Sequence, residues 1–192
     1  MKQSYLKTGS GFTLIELMIA ISISIVILTF AVPSFSSFIK NGRVTTFTNT
    51  LVTDVNFARQ EAVTRGDKVI LCRSANPTAA APSCGGNANN WSSGWLVFVS
   101  KDANTTYDDG TDVLLRATDE VGGGVSIMTN DTSNANLIYK TDGTLDMGGG
   151  TAVFAVCDNR GEGQGNQLQV SPTGRPRLAS PVPPSSSCSS PS

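Results

Sequence analysis

The stretch Gly11–Phe30, GFTLIELMIAISISIVILTF, decides the reading of this chain. From Phe12 to Val32 the only charged residue is Glu16. At about 1.5 Å per residue such a helix is about 31 Å long, close to the hydrocarbon thickness of a bilayer. A secretory signal peptide has a shorter apolar region, of roughly 7–15 residues, and a small-residue cleavage site. The run here is longer, and Ser34–Lys40 contains no A-x-A pattern. A plain membrane anchor fits the length but leaves Glu16 unexplained. A carboxylate within a bilayer costs about 2.5–3.5 kcal/mol on insertion scales and therefore needs a partner. No lysine or arginine lies between Lys7 and Lys40, so the helix itself offers none. Lys2 and Lys7 precede the run, which keeps that end cytoplasmic and sends the remainder outward. The outside is oxidising, and the four cysteines make sense there as disulfides.

Composition bounds the rest. A chain of 192 residues allows one compact domain with an appendage. Its formal net charge of −1 provides no global basic field, so any anion site must be local. The chain has no histidine, which removes the usual general base and the commonest metal ligand. No serine sits in a G-x-S-x-G setting, and the carboxylates of Asp108–Asp112 look exposed rather than buried where their pKa would rise. No enzyme, catalytic residue or cofactor is expected.

Beyond Pro33, which should kink the helix or mark the membrane exit, the pattern becomes amphipathic. Val44, Phe47, Leu51, Val55, Ala58 and Ala62 recur at three- and four-residue spacing, with Arg43, Asp54, Arg59 and Glu61 as the polar counterpart. This predicts one helix from about Phe12 to Thr64, ended by Gly66, whose second half packs on a sheet. Strands are predicted at Lys68–Arg73, Gly94–Ser100, Val113–Thr118, Val125–Thr129, Leu137–Thr141, Thr151–Cys157 and Gln167–Ser171. Asp142-Gly143 reads as a two-residue hairpin signal between Tyr139 and Leu145. Thr78–Asn90 and Gly161–Gly165 read as loops, and the Pro/Ser-rich tail Pro181–Ser192 as irregular.

Four cysteines allow three pairings. Cys72 and Cys84 bracket a short loop and form the natural local pair, which leaves Cys157 with Cys188, stapling the tail to a strand. A zinc site is disfavoured by the lack of any C-x-x-C, and no metal is expected. Asp102, Asn104, Asp108, Asp109 and Asp112 surround Gly110 with oxygen ligands of the kind calcium takes. Their spacing departs from the twelve-residue calcium loop, so the preferred reading is an Asn/Asp-rich hairpin loop. The last motif is Gly174-Arg175-Pro176-Arg177. Pro176 biases Arg175 towards an extended conformation, and residues i and i+2 of an extended chain share a face about 7 Å apart. Two guanidiniums so placed can each fork onto a phosphate. The competing reading is an exposed basic turn that keeps an edge strand from pairing.

Gly11-Phe12-Thr13-Leu14-Ile15-Glu16-Leu17 resembles the processing site of type IV pilins and type II secretion pseudopilins. The resemblance implies that a prepilin peptidase removes a leader, residues 1–11, and that Phe12 is then methylated. The same resemblance implies that Glu16 pairs with the terminal amine of a neighbouring subunit during assembly. NFARQEAVTRGDKVILC (Asn56–Cys72), GWLVFV (Gly94–Val99), VLLR (Val113–Arg116) and SPTGRPR (Ser171–Arg177) resemble the GspH/FimT branch of minor pilins and pseudopilins, a likeness reaching to Leu178. It implies an α+β pilin-like fold, a long N-terminal helix packed on antiparallel β-sheets. The expected organisation is leader 1–11, transmembrane and assembly helix 12–39, globular head 40–180 and tail 181–192. A G-R-x-R element after the last strand is similar to the DNA-binding element of FimT-type pilins, which marks Gly174, Arg175 and Arg177. A C-terminal disulfide staple is instead similar to FimU-type subunits. The implied role is a minor pilin at or near the pilus tip that primes assembly and binds double-stranded DNA, with a type II secretion pseudopilin as the alternative. Its implied partners are other major and minor pilins, the prepilin peptidase and the inner membrane, with the head in the periplasm and, after incorporation, at the cell surface.

Overall fold

The computed structural model describes residues 11–86, 89–102, 104–129, 136–146, 150–161, 164–179 and 188. The expected leader, apart from Gly11, and most of the expected tail therefore lie outside the described residues. The chain divides into two units, Met1–Ile39 and Lys40–Ser192. One helix, α1 (Leu14–Arg65), contributes to both.

In the first unit Thr13 caps the start of α1. Its hydroxyl accepts the Glu16 N–H at 3.3 Å, and its carbonyl accepts the Leu17 N–H at 3.2 Å. These bonds satisfy donors that a helix N-terminus otherwise leaves orphaned. Large apolar side chains from Phe12 to Ile39 are exposed on all sides of the helix. A helix apolar all round is built for burial in protein or lipid. Three hydroxyls within the apolar run are internally satisfied: Ser22 donates to Met18 O at 2.8 Å, Ser24 to Ala20 O at 2.7 Å and Thr29 to Val26 O at 2.7 Å. That removes the main cost of carrying them in a hydrocarbon environment. The helix does not end at Pro33.

In the second unit the expected apolar stripe is the core. Val44, Leu51, Val55, Ala58 and Ala62 are buried, and Phe47 packs beside them. Gly66 stops the helix with a φ of 68°, its N–H reaching Ala62 O at 3.0 Å. This left-handed cap is open to glycine without the steric cost of a Cβ.

Among the described residues eight strands follow: β1 (Val69–Arg73), β2 (Trp95–Val99), β3 (Val113–Thr118), β4 (Val125–Thr129), β5 (Asn136–Tyr139), β6 (Ala152–Asp158), β7 (Asn166–Val170) and β8 (Pro176–Ala179). They form two antiparallel sheets, ordered β3-β2-β1-β5 and β4-β6-β7-β8. Alternate residues of each strand face opposite sides. Val69, Leu71, Val97 and Leu137 from the first sheet join Ile127, Phe154 and Leu168 from the second in one core with α1. The intervening residues Ile70, Cys72, Leu96 and Phe98 form a second cluster on the outer face, where Tyr107 packs edge-on against Phe98 at 5.4 Å. Burial on both faces explains why β1 and β2 read as continuous apolar runs.

Two expectations need correction. β8 falls where the sequence showed only a basic turn after the last strand. It pairs with β7 through Val170↔Pro176, Gln169↔Arg177 and Leu168↔Leu178. Proline is tolerated there because it opens an edge strand, where no further ladder needs its missing donor. Asp142-Gly143 does turn a hairpin between Tyr139 and Leu145, with the Lys140 N–H bonding Thr144 O and the Asp146 N–H bonding Ile138 O, each at 2.9 Å, but its loop is longer than two residues. The Gly143 N–H bonds Lys140 O at 2.9 Å, and Leu145 makes only an isolated bridge to Tyr139. The Leu145 N–H instead bonds Pro172 O at 2.9 Å, in the β7–β8 turn.

Candidate assembly and DNA-contact sites

The N-terminal site is simple in geometry. Phe12 is 84 % exposed, and Glu16 is exposed with no side-chain partner among the described residues. Glu16 therefore stands one turn into the helix, on an apolar surface, with its charge uncompensated among the described residues.

The arginine turn is built from two loops that meet on α1. In the β7–β8 connection the Gly174 N–H bonds Ser171 O at 2.8 Å and the Ser171 N–H bonds Arg175 O at 3.2 Å. Gly174 has a φ of 76° and is buried. A Cβ there would collide with Gly143 O and lie 2.9 Å from Tyr139 Cε1. Only glycine fits, so Gly174 shapes the turn from beneath. Tyr139 Oη donates to Gly174 O at 3.3 Å, and burial raises the Tyr139 pKa, keeping it a neutral donor. Arg59 Nε donates to Gly143 O at 3.0 Å. Arg175 and Arg177 leave this platform exposed and without a protein partner among the described residues. Lys140 stands on the adjoining turn, loosely paired with Asp146 at 3.8 Å.

Asp54 was expected on the solvent side of α1 and is only 1 % exposed. Its carboxylate accepts Trp95 Nε1–H at 2.8 Å and the Thr118 hydroxyl at 2.7 Å, and it forms an ion pair with Arg116. The Arg116 guanidinium also lies over the Phe57 ring at 4.3 Å. Sequence reasoning missed this cluster, although a signal was present. Asp54 is three residues after Leu51 and four before Ala58, so it lies on the apolar stripe itself. A second ion pair joins Arg160 to Asp158 at 2.6 Å, with Arg160 also donating to Asn41 at 2.7 Å and Lys40 to Asn159 at 3.1 Å. The Arg160 hydrogen bonds hold the Asp158 carboxyl below the usual aspartate range.

The acidic loop organises itself. Asp102, Asp108 and Asp112 place carboxylate oxygens within 4.8 Å of one another. Asn104 Nδ2 donates to both Asp102 at 2.6 Å and Asp108 at 2.7 Å, while Asp112 accepts the Lys101 and Asp108 N–H groups at 2.9 and 3.0 Å. Asp109 accepts from Tyr107 Oη at 3.3 Å. These bonds order a turn-rich loop. Cys72 is bonded to Cys84 with Cα atoms 5.6 Å apart, and Cys157 to Cys188 at 5.9 Å. Each closes over the outer face of one sheet, the first in the Phe98 cluster and the second against Ala155.

The long helix, the two antiparallel sheets and the N-terminal Gly-Phe-x-x-x-Glu now stand together. A family model described as type II transport protein GspH matches residues 48–174. The chain belongs to the GspH family. A second model, the prokaryotic N-terminal methylation motif, matches residues 7–32. Nothing among curated proteins matches the chain. Its fold is similar to crystal structures of the type IV minor pilin FimU of Pseudomonas aeruginosa (strain PAO1). In space group P21 the TM-score is 0.57 at 20% identity, covering 79% of this chain and 99% of that one. In space group P65 it is 0.52 at 20% identity, covering 73% and 96%. This GspH-family protein is thus a pilin or pseudopilin of the type IV pilus or type II secretion class, and its apolar helix and methylation motif fit an inner-membrane anchor.

Proposed function

We propose that this chain is a minor type IV pilin that primes assembly at or near the pilus tip and binds double-stranded DNA without sequence preference. Prepilin peptidase cuts after Gly11, Phe12 is methylated, and Glu16 meets the terminal amine of a neighbouring pilin. The head faces the periplasm until incorporation carries it to the cell surface. The observation that supports the DNA role is the pair of exposed guanidiniums at Arg175 and Arg177, without a partner among the described residues, on a closely packed turn of an otherwise slightly acidic protein. Phosphate contacts position a protein on DNA but carry no base information. Two neutralised phosphates correspond to a salt slope of about −1.8 in log–log form on duplex DNA. Several subunits along one filament would raise the weak single-site affinity by avidity.

Arg175→Ala combined with Arg177→Ala should abolish the mobility shift of duplex DNA while leaving the melting curve almost unchanged. Binding equal to wild type would reduce the pair to a solvated turn. The GspH family match favours one alternative, a type II secretion pseudopilin acting in protein export. A deletion strain scored together for twitching, secretion and transformation separates the two. Loss of secretion alone would select the alternative.

A further inference from the structure

Arg59 lies on α1, away in sequence from the arginine turn, yet its Nε sits between the two loops that build that turn. It donates to Gly143 O at 3.0 Å. A Cβ on Gly143 would come within 3.3 Å of this nitrogen, and a Cβ on Gly174 within 3.1 Å. The Gly143 carbonyl that Arg59 holds is the same group that lies against Gly174. Arg59 Nε, Gly143 O and the Gly174 backbone are thus stacked in series, immediately before Arg175. The Leu145–Pro172 and Tyr139–Gly174 hydrogen bonds also tie the same two loops together.

We infer that Arg59 is a positioning residue for DNA contact, holding the Gly143 carbonyl so that Gly174 keeps its left-handed turn and Arg175 and Arg177 project together. This rests on the reading of Arg175 and Arg177 as the phosphate contacts. The physical reason is local. Gly143 and Gly174 have φ values of 76°, and neither has a side chain to restrain it. Glycine loses the most conformational freedom on folding, so an arginine turn mounted on two glycines needs an external clamp. A hydrogen bond from a half-buried guanidinium is a strong one, because its donor is charged.

Two substitutions separate the clamp from the charge. In Arg59→Gln the amide Nε2 stands where Nε stood, which keeps the donor and removes the charge. In Arg59→Lys the charge stays, but a methylene occupies that position. Both are made in the full chain in detergent micelles, with short duplex DNA as the probe. The Gly174 amide, which bonds Ser171 O, is followed by hydrogen exchange. Arg59→Gln should bind DNA as wild type does. Arg59→Lys should bind about tenfold more weakly, the loss of roughly one hydrogen bond's worth of order, with faster Gly174 exchange. The opposite ranking would make Arg59 a phosphate-contacting charge and overturn the inference. So would equal losses in both variants, or none in either. Should the wild-type chain not bind DNA at all, the DNA reading fails. The Gly174 exchange rates still decide the clamp, because they need no DNA.

Discussion

Replacing Asp54 by alanine tests which part of its network supports the head. Trp95 is fully buried, so its indole N–H would lose its acceptor with no water to replace it. A buried donor stranded in this way costs about 1–3 kcal/mol. Arg116 is different, since 39% of its side chain is exposed. Water can take the place of the carboxylate there, and the guanidinium keeps its contact with Phe57. Adding the small void left by the missing carboxylate, Asp54→Ala should destabilise the head by about 3 kcal/mol. Arg116→Ala takes the cation from a buried carboxylate, but Asp54 keeps its bonds from Trp95 and Thr118, and water reaches it through the space the half-exposed guanidinium vacates. The cost should therefore be about 1–2 kcal/mol, below the figure for a fully buried pair. Thermal unfolding of the head, followed by near-ultraviolet circular dichroism, is the assay. At about 2–4 °C per kcal/mol for a domain of this size, Asp54→Ala should lower Tm by about 6–12 °C. An equal or larger drop for Arg116→Ala would refute the reasoning, because the ion pair and not the indole bond would then dominate.

Glu16→Val should leave the protein stable and membrane-bound but absent from sheared filaments, and normal incorporation would contradict the intersubunit role of Glu16. Replacing both Cys157 and Cys188 by serine opens a loop of 31 residues and should cost about 3–4 kcal/mol in denaturant titrations, since the cross-link restricts mainly the unfolded chain. The depressed Asp158 carboxyl contributes stability that is fully present above the ordinary aspartate range and is lost as pH falls through its lowered value. Wild type and Arg160→Ala should therefore differ near neutral pH and draw together as acid takes Asp158 through its lowered value, and a difference that stays constant on acidification would show that the ion pair is not what stabilises. Mass spectrometry of the mature chain should find an N-terminus at methylated Phe12, and a start beyond the apolar run would contradict the processing step.

The sequence by itself determined the long helix, its split into a lipid-compatible half and an amphipathic half, and seven of the strands to within a residue or two at each end. These features rest on local periodicity: the charge-free run from Leu17 to Val32, the stripe from Val44 to Ala62, and short β-rich runs between turn residues. The Gly66 stop is equally local, because a left-handed cap needs only the residue that occupies it. Tertiary structure alone decided what depends on partners distant in sequence. Helical spacing puts Asp54 on the apolar stripe, but only the fold brings Trp95, Arg116 and Thr118 over it, because a helical pattern cannot say that a charge has bonded neighbours. β8 is invisible beside its own proline and arginines, because an edge strand is defined by the strand it pairs with and not by its residues. Gly174 reads as a flexible turn and is in fact buried against Gly143, Tyr139 and Arg59. Its constraint comes from three segments that meet only once both sheets have packed on the helix.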